Sequence, residues 1–196
     1  MKNAMIVDYG CGNVTSLKYF LNRFNLNAEI TSNVDKILEG DLLILPGVGA
    51  FGNAQDAMND ANIFNSIYKR VHLDKPTLGI CLGFQLLTKT SEEAPSKVGL
   101  SFFDAKTVKM HEGSEIGWRE ILTSVSTYEQ KNYYFFNHSF GILSNSNDIE
   151  ASLIPGSSYL AYARKSMIVG VQFHPEKSQL SGRKFMEVLL KQVWNL

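Results

Sequence analysis

A chain of 196 residues, 44% of them hydrophobic, is long enough to bury one sizeable core and too short to need two, which predicts a single domain over residues 1–196. Nineteen Lys and Arg offset nineteen Asp and Glu, so no global field draws the chain towards nucleic acid or an anionic membrane surface. Its two cysteines, Cys11 and Cys81, fit neither a metal-ligand spacing nor a disulfide framework, the start MKNAMIVDYG lacks a signal-type apolar core, and no apolar run approaches the ~20 residues of a membrane span; a cytoplasmic protein without nucleic-acid or membrane partners is expected.

In chain order, Ala4–Val7 reads as a short buried strand, and the turn Asp8-Tyr9-Gly10-Cys11-Gly12-Asn13 leads into a helix. Leu17, Phe20, Leu21 and Phe24 fall on one face of that helix at i, i+3, i+4 and i+7. Ala28–Ile30 is a second strand, and Asp41–Leu45, nearly all branched aliphatic, has the composition of a strand covered on both faces. A glycine-rich turn precedes a helical stretch, Ala54–His72, interrupted around Asp60–Asn62; Pro76 then introduces the strand Thr77–Ile80, which runs straight into Cys81. Strands alternating with helices predict an α/β fold with a mostly parallel central sheet flanked by helices. From Gly99 onward the pattern shifts to short β-like runs, Thr107–Met110, Tyr133–Phe136, Tyr159–Arg164 and Met167–Phe173, which predict antiparallel additions in the C-terminal half. A helix over Gly182–Trp194, with Met186, Leu189, Leu190 and Val193 as its apolar stripe, closes the chain.

Gly79-Ile80-Cys81-Leu82-Gly83 has the form of a nucleophile elbow, with a strand before it and the helix-compatible Phe84-Gln85-Leu86-Leu87 after it. A sharp strand-to-helix turn crowds the backbone around the nucleophile, and residues without a Cβ relieve that crowding. Unpaired N–H groups in the first helical turn favour a thiolate at Cys81, and the Leu82 N–H can face the oxyanion formed when it attacks a carbonyl. In the opposing reading Cys81 is a small buried hydrophobe at a strand end.

A nucleophile needs a base. His72 ends a polar helix and His111 lies in a charged loop, whereas His174 follows the apolar run Ile168–Phe173 and precedes Pro175-Glu176. Strand C-termini line the functional crevice of a parallel sheet, so Cys81 and His174 can meet there although far apart in sequence. Glu176 then orients the imidazole, giving nucleophile, base and orienter. Gly47-Val48-Gly49-Ala50-Phe51-Gly52 matches a dinucleotide-binding pattern, but Pro46 sits at the junction and the acidic residue expected beyond the next strand is missing. A loop beside the elbow, offering a second N–H to the oxyanion, is the better use of Pro46–Gly52; simple turn-making is the alternative.

These residues resemble class I glutamine amidotransferases. Gly79–Gln85 is similar to the family's cysteine elbow and Val171-Gln172-Phe173-His174-Pro175-Glu176 to its His/Glu segment. Ile6–Asn13, Leu45–Gly49 and Tyr133–Ser139 narrow the resemblance, over essentially the whole chain, to the glutaminase subunits of imidazole glycerol phosphate synthases. The resemblance implies that Cys81 attacks the carboxamide of L-glutamine, that His174 protonates the departing ammonia with Glu176 orienting it, and that backbone at Val48, Gly49 and Leu82 forms the oxyanion hole. It further implies substrate contacts at Gln85, Glu93, His138 and Ser139, no cofactor or metal, and a TIM-barrel cyclase partner that receives ammonia in histidine biosynthesis, with Trp118 an anchor at the heterodimer interface.

Five positions depart from the family, Glu115, Arg119 and Phe140 the most consequential. Phe140 stands where it has a tyrosine, and Ser114-Glu115-Ile116-Gly117-Trp118-Arg119 replaces Pro-His-Met-Gly-Trp-Asn. These leave open a paralogous subunit supplying ammonia for amidino-sugar synthesis in surface polysaccharide. A cysteine hydrolase of other amides, peptides or esters and a non-catalytic binding subunit that kept the fold are the remaining alternatives.

Overall fold

Apolar segments of strand length pair in parallel from the N-terminus onward in the computed structural model, which describes residues 1–10, 12–111, 113–123 and 132–196. Cys11, part of the predicted first turn, lies outside the described residues. The first half runs β1 (Lys2–Val7), α1 (Val14–Asn22), β2 (Leu26–Thr31), α2 (Val34–Glu39), β3 (Leu42–Leu45), α3 (Phe51–Asp60), α4 (Phe64–His72), β4 (Thr77–Ile80) and α5 (Leu82–Leu86). The second half is strand-rich: β5 (Thr90–Ser91), β6 (Ala105–Lys109), β7 (Glu115–Glu120), β8 (Tyr133–His138), β9 (Phe140–Ser144), β10 (Glu150–Leu153), β11 (Leu160–Lys165) and β12 (Ile168–Val171). A 3₁₀ turn (Pro175–Lys177), α6 (Gln179–Val188) and a π-helical turn (Leu189–Val193) follow.

The main sheet has the order β10-β11-β12-β4-β3-β1-β2. Its β12-β4-β3-β1-β2 portion is parallel, and β11 and β10 extend one edge antiparallel. Side chains of the central strands alternate between two cores, as a sheet covered on both faces requires. Ala4, Ile6, Leu42, Ile44, Leu78 and Ile80 pack with α1 and α6, while Met5, Val7, Leu43 and Leu45 pack with α3 and α4. β12 inserts beside β4 with Val171 opposite Ile80, so Cys81 and His174 emerge at the same end of adjacent strands.

The helical stretch expected over Ala54–His72 breaks where expected, into α3 and α4, with Asn62 at φ +57° between them. α2 was not expected: six residues with one buried side chain, Ile37, leave no periodic signal, though Asn33 caps it by accepting from the Lys36 N–H at 3.1 Å. The closing helix starts three residues before Gly182 and ends in the π turn. β5-β6-β9 and the β7-β8 hairpin form separate small sheets. Among the described residues no helix is long and apolar enough to cross a membrane.

Candidate active site

Cys81 has φ +51° and ψ −105°, a conformation that costs a non-glycine residue on the order of 1–3 kcal/mol and persists where its surroundings enforce it. Here they do. Its N–H donates to the Val171 carbonyl at 2.7 Å, and its carbonyl accepts from Phe84 and Gln85 in the first turn of α5. The flanking glycines serve close approach rather than unusual dihedrals. A Cβ on Gly79 would lie 2.6 Å from the Gly83 carbonyl oxygen, and one on Gly83 would lie 2.0 Å from that of Leu45. Gly47 belongs to the same packing, because its Cβ would meet Ile80 O and Leu82 N at 2.4 Å.

The Pro46–Gly49 loop therefore sits against the elbow, beside the backbone of the Leu82 peptide. Gly49, at φ +144°, holds a conformation that side-chain-bearing residues rarely adopt, and Val48 is half-exposed. The Tyr9 hydroxyl donates to the Pro46 carbonyl, and Glu93 accepts from the Phe51 N–H at 2.7 Å, pinning the start of α3 behind the loop. Glu93, expected from the resemblance to hold the substrate's head group, thus stands at the base of this loop.

His174 is 1% exposed. Its Nδ1–H donates to Glu176 at 2.9 Å, which leaves Nε2 buried and without a hydrogen-bond partner. Burial pulls the imidazole's proton affinity down, but the proximity of Cys81 and the Glu176 carboxylate outweighs it, and the pKa rises to about 9. Cys81 thus acts on His174 electrostatically while Nε2 stays short of a formed hydrogen bond, the looser contact common in sites awaiting substrate. Ser178 holds the turn: its hydroxyl donates to the His174 carbonyl at 2.6 Å and accepts from the Phe135 N–H at 2.9 Å. Phe135 O in turn accepts from the His174 N–H at 2.9 Å, tying β8 to the base.

Gln85 and His138 converge on one backbone atom. The Phe140 carbonyl accepts from Gln85 Nε2 at 3.0 Å and from His138 Nδ1 at 2.9 Å. Phe140 lacks the hydroxyl of the family's tyrosine, yet its main chain joins α5 to the β8-β9 junction. Burial lowers the His138 pKa to about 4 despite the Phe140 hydrogen bond, with the charge of His174 adding to the fall. Ser139 shares a hydrogen bond with Ser114 at 2.8 Å on the exposed side of this junction.

Trp118 lies on β7, 42% exposed, with its ring edge-on to Phe135 at 5.9 Å, so it is not core. A 330 Å³ depression bounded by Trp118, Tyr133 and Leu180 opens beside it. Glu115 and Arg119, two of the departures, form an ion pair at 2.8 Å and amount to one coupled change. A cavity of about 800 Å³ is lined by Lys89, Asp104, Lys106 and Ser144 and lies at the far end of β9 from Phe140, away from the elbow.

Residues 5–192 match the family described as glutamine amidotransferase class-I. The chain belongs to this family. Among curated relatives, the imidazole glycerol phosphate synthase subunit HisH 2 of Methanococcus maripaludis is 36% identical over 95% of this chain and 98% of its own length. Subunit HisH of Carboxydothermus hydrogenoformans is 35% identical over 94% and 97%. Among solved structures, one titled as a glutamine amidotransferase matches with a TM-score of 0.77 at 18% identity, covering 94% of this chain and 98% of that one. A glutamine amidotransferase from Thermotoga maritima matches with 0.70 at 15%, covering 100% and 99%. The amidotransferase fold is thus the mostly parallel sheet with antiparallel additions described above.

Two residues of this amidotransferase site escaped sequence reasoning. Ser178 lies beyond the His/Glu segment and carries no pattern of its own. Gln172 sits within that segment, and its signal was visible: an amide directly after four buried apolar residues, Ile168–Val171, needs a polar partner inside the protein.

Proposed function

We propose that this amidotransferase is the glutaminase subunit of an imidazole glycerol phosphate synthase, hydrolysing L-glutamine to glutamate and ammonia for a cyclase partner with a TIM-barrel fold. The convergence of Cys81 with the His174–Glu176 pair at adjacent strand ends carries the reading. The Cys81 thiol gives its proton to His174 Nε2, an atom buried without another partner and poised to accept it. The thiolate adds to the carboxamide carbon, and the oxygen takes up the negative charge beside the Leu82 N–H and the Val48–Gly49 backbone. Imidazolium then protonates the amide nitrogen, the C–N bond breaks and ammonia leaves a glutamyl thioester. Water, deprotonated by His174, adds to the thioester and releases glutamate as Cys81 recovers its proton.

In this reading Gln85 and Glu93 hold the substrate's amino-acid head, and Ser139 and His138, the latter kept neutral by burial, are further substrate contacts. Free ammonia would be protonated in bulk water, so the account requires a docked acceptor, and Trp118 on β7 is the anchor we assign to it. The test is glutamine hydrolysis by the chain mixed with the cyclase subunit of its own synthase. Stoichiometric glutamate, lost in Cys81→Ser, is expected; hydrolysis of peptides or esters with glutamine untouched would remove the reading.

A further inference from the structure

Gln172 is fully buried and follows β12 directly, one strand from the elbow. Three of its hydrogen bonds define a direction. Its backbone N–H donates to Ala161 O at 2.9 Å, which fixes the main chain. Its side-chain Oε1 accepts from Gln85 Nε2 at 3.4 Å, and its Nε2 donates to Cys81 Sγ at 3.5 Å. The orientation of this amide follows from the atom that anchors the chain. Phe140 O can only accept, so Gln85 must present its NH₂ there, and the second hydrogen of that NH₂ goes to Gln172 Oε1. Gln172 is left with its own NH₂ towards sulfur. A flipped Gln172 would set NH₂ against NH₂ and carbonyl oxygen against sulfur.

We propose that Gln172 is a positioning residue for the nucleophile: its amide, locked by Gln85 and Phe140 O, holds the Cys81 sulfur at the elbow and stabilises it as thiolate. The proposal rests on the glutaminase reading and deepens it. A hydrogen bond to a charged acceptor is worth about tenfold to a hundredfold in an equilibrium. Besides Gln172, the groups acting at this sulfur are His174 and Glu176 from the turn after β12, with His138 of β8 acting through His174. Gln172 differs from all three in having no titratable proton, so its contribution does not itself titrate.

The test is alkylation of Cys81 by iodoacetamide in the full chain, followed across pH by mass spectrometry of the Cys81 peptide, beside glutamine turnover with the partner subunit. Gln172→Leu is expected to slow alkylation at pH 7 about tenfold or more, to converge on the unsubstituted chain at high pH, and to lower kcat with little change in KM. Gln85→Leu, which frees the Gln172 amide to rotate, is expected to lie between the two. An alkylation profile that Gln172→Leu leaves unchanged while turnover falls would overturn the proposal. Should Gln172→Leu lose its folded circular-dichroism spectrum, Gln85→Leu decides, and an unchanged profile there overturns it. An unsubstituted chain that alkylates rapidly yet releases no glutamate with its partner would instead strike at the glutaminase reading, a separate outcome.

Discussion

His174 and His138 sit at two corners of one crevice, both buried, and the protein drives them in opposite directions: one to a pKa of about 9, the other to about 4. Burial works against the proton in both cases. What separates them is the company each keeps, Cys81 and then the Glu176 carboxylate for His174, against a neutral carbonyl for His138. The difference shows how one shell of buried residues holds a proton-accepting base and a neutral wall side by side.

Removing the nucleophile should erase the distinction functionally. Cys81→Ser is expected to lower glutamine turnover by ~10⁴-fold or more, measured as glutamate release with the partner present. Glu176→Gln makes the His174 corner resemble the His138 corner, since the imidazole keeps a hydrogen-bond acceptor and loses the charge. Turnover should fall ~10²-fold or more, and the pH dependence of kcat should show a His174 titration displaced to lower pH.

Gly83→Ala attacks the scaffold beneath both corners. With a Cβ 2.0 Å from Leu45 O, backbone must shift, and urea denaturation should show a loss of ~3 kcal/mol. The linkage to pH runs oppositely at the two histidines. His174, raised from 6.5 to about 9, contributes stability that is full below pH 6.5 and is lost as pH rises through 9. His138, lowered to about 4, contributes stability that is full above pH 6.5 and is lost as pH falls towards 4, on the order of 3 kcal/mol in all. His138→Asn should flatten the acid side of the stability profile and leave the alkaline side unchanged. The smallest effect belongs to the Glu115–Arg119 pair on β7, where a double-mutant cycle should give a coupling of about 1 kcal/mol or less.

How much of this was legible beforehand follows the density of local signal. β3, β12 and, after Thr77, β4 are apolar runs, and the elbow announces itself because only glycine fits at 79 and 83. His174 and Glu176 could be paired with Cys81 because a parallel sheet gathers strand C-termini. α2 was invisible with a single buried residue, and β7 because its exposed residues do not alternate with buried ones. The Phe140 carbonyl could not be foreseen as a junction, since a backbone acceptor has no signature in sequence. Nor could the pairing of Glu115 with Arg119, which depends on side chains meeting along the strand.

The central claim is that the elbow and the turn after β12 form one glutamine-directed nucleophilic site. A diazoketone analogue of glutamine tests it most directly, with its covalent mass mapped by peptide in the chain bound to its cyclase partner. The account predicts a single adduct on Cys81, suppressed by excess L-glutamine and strongly slowed in Glu176→Gln. An unlabelled Cys81 in the intact complex, or labelling indifferent to glutamine, would contradict it.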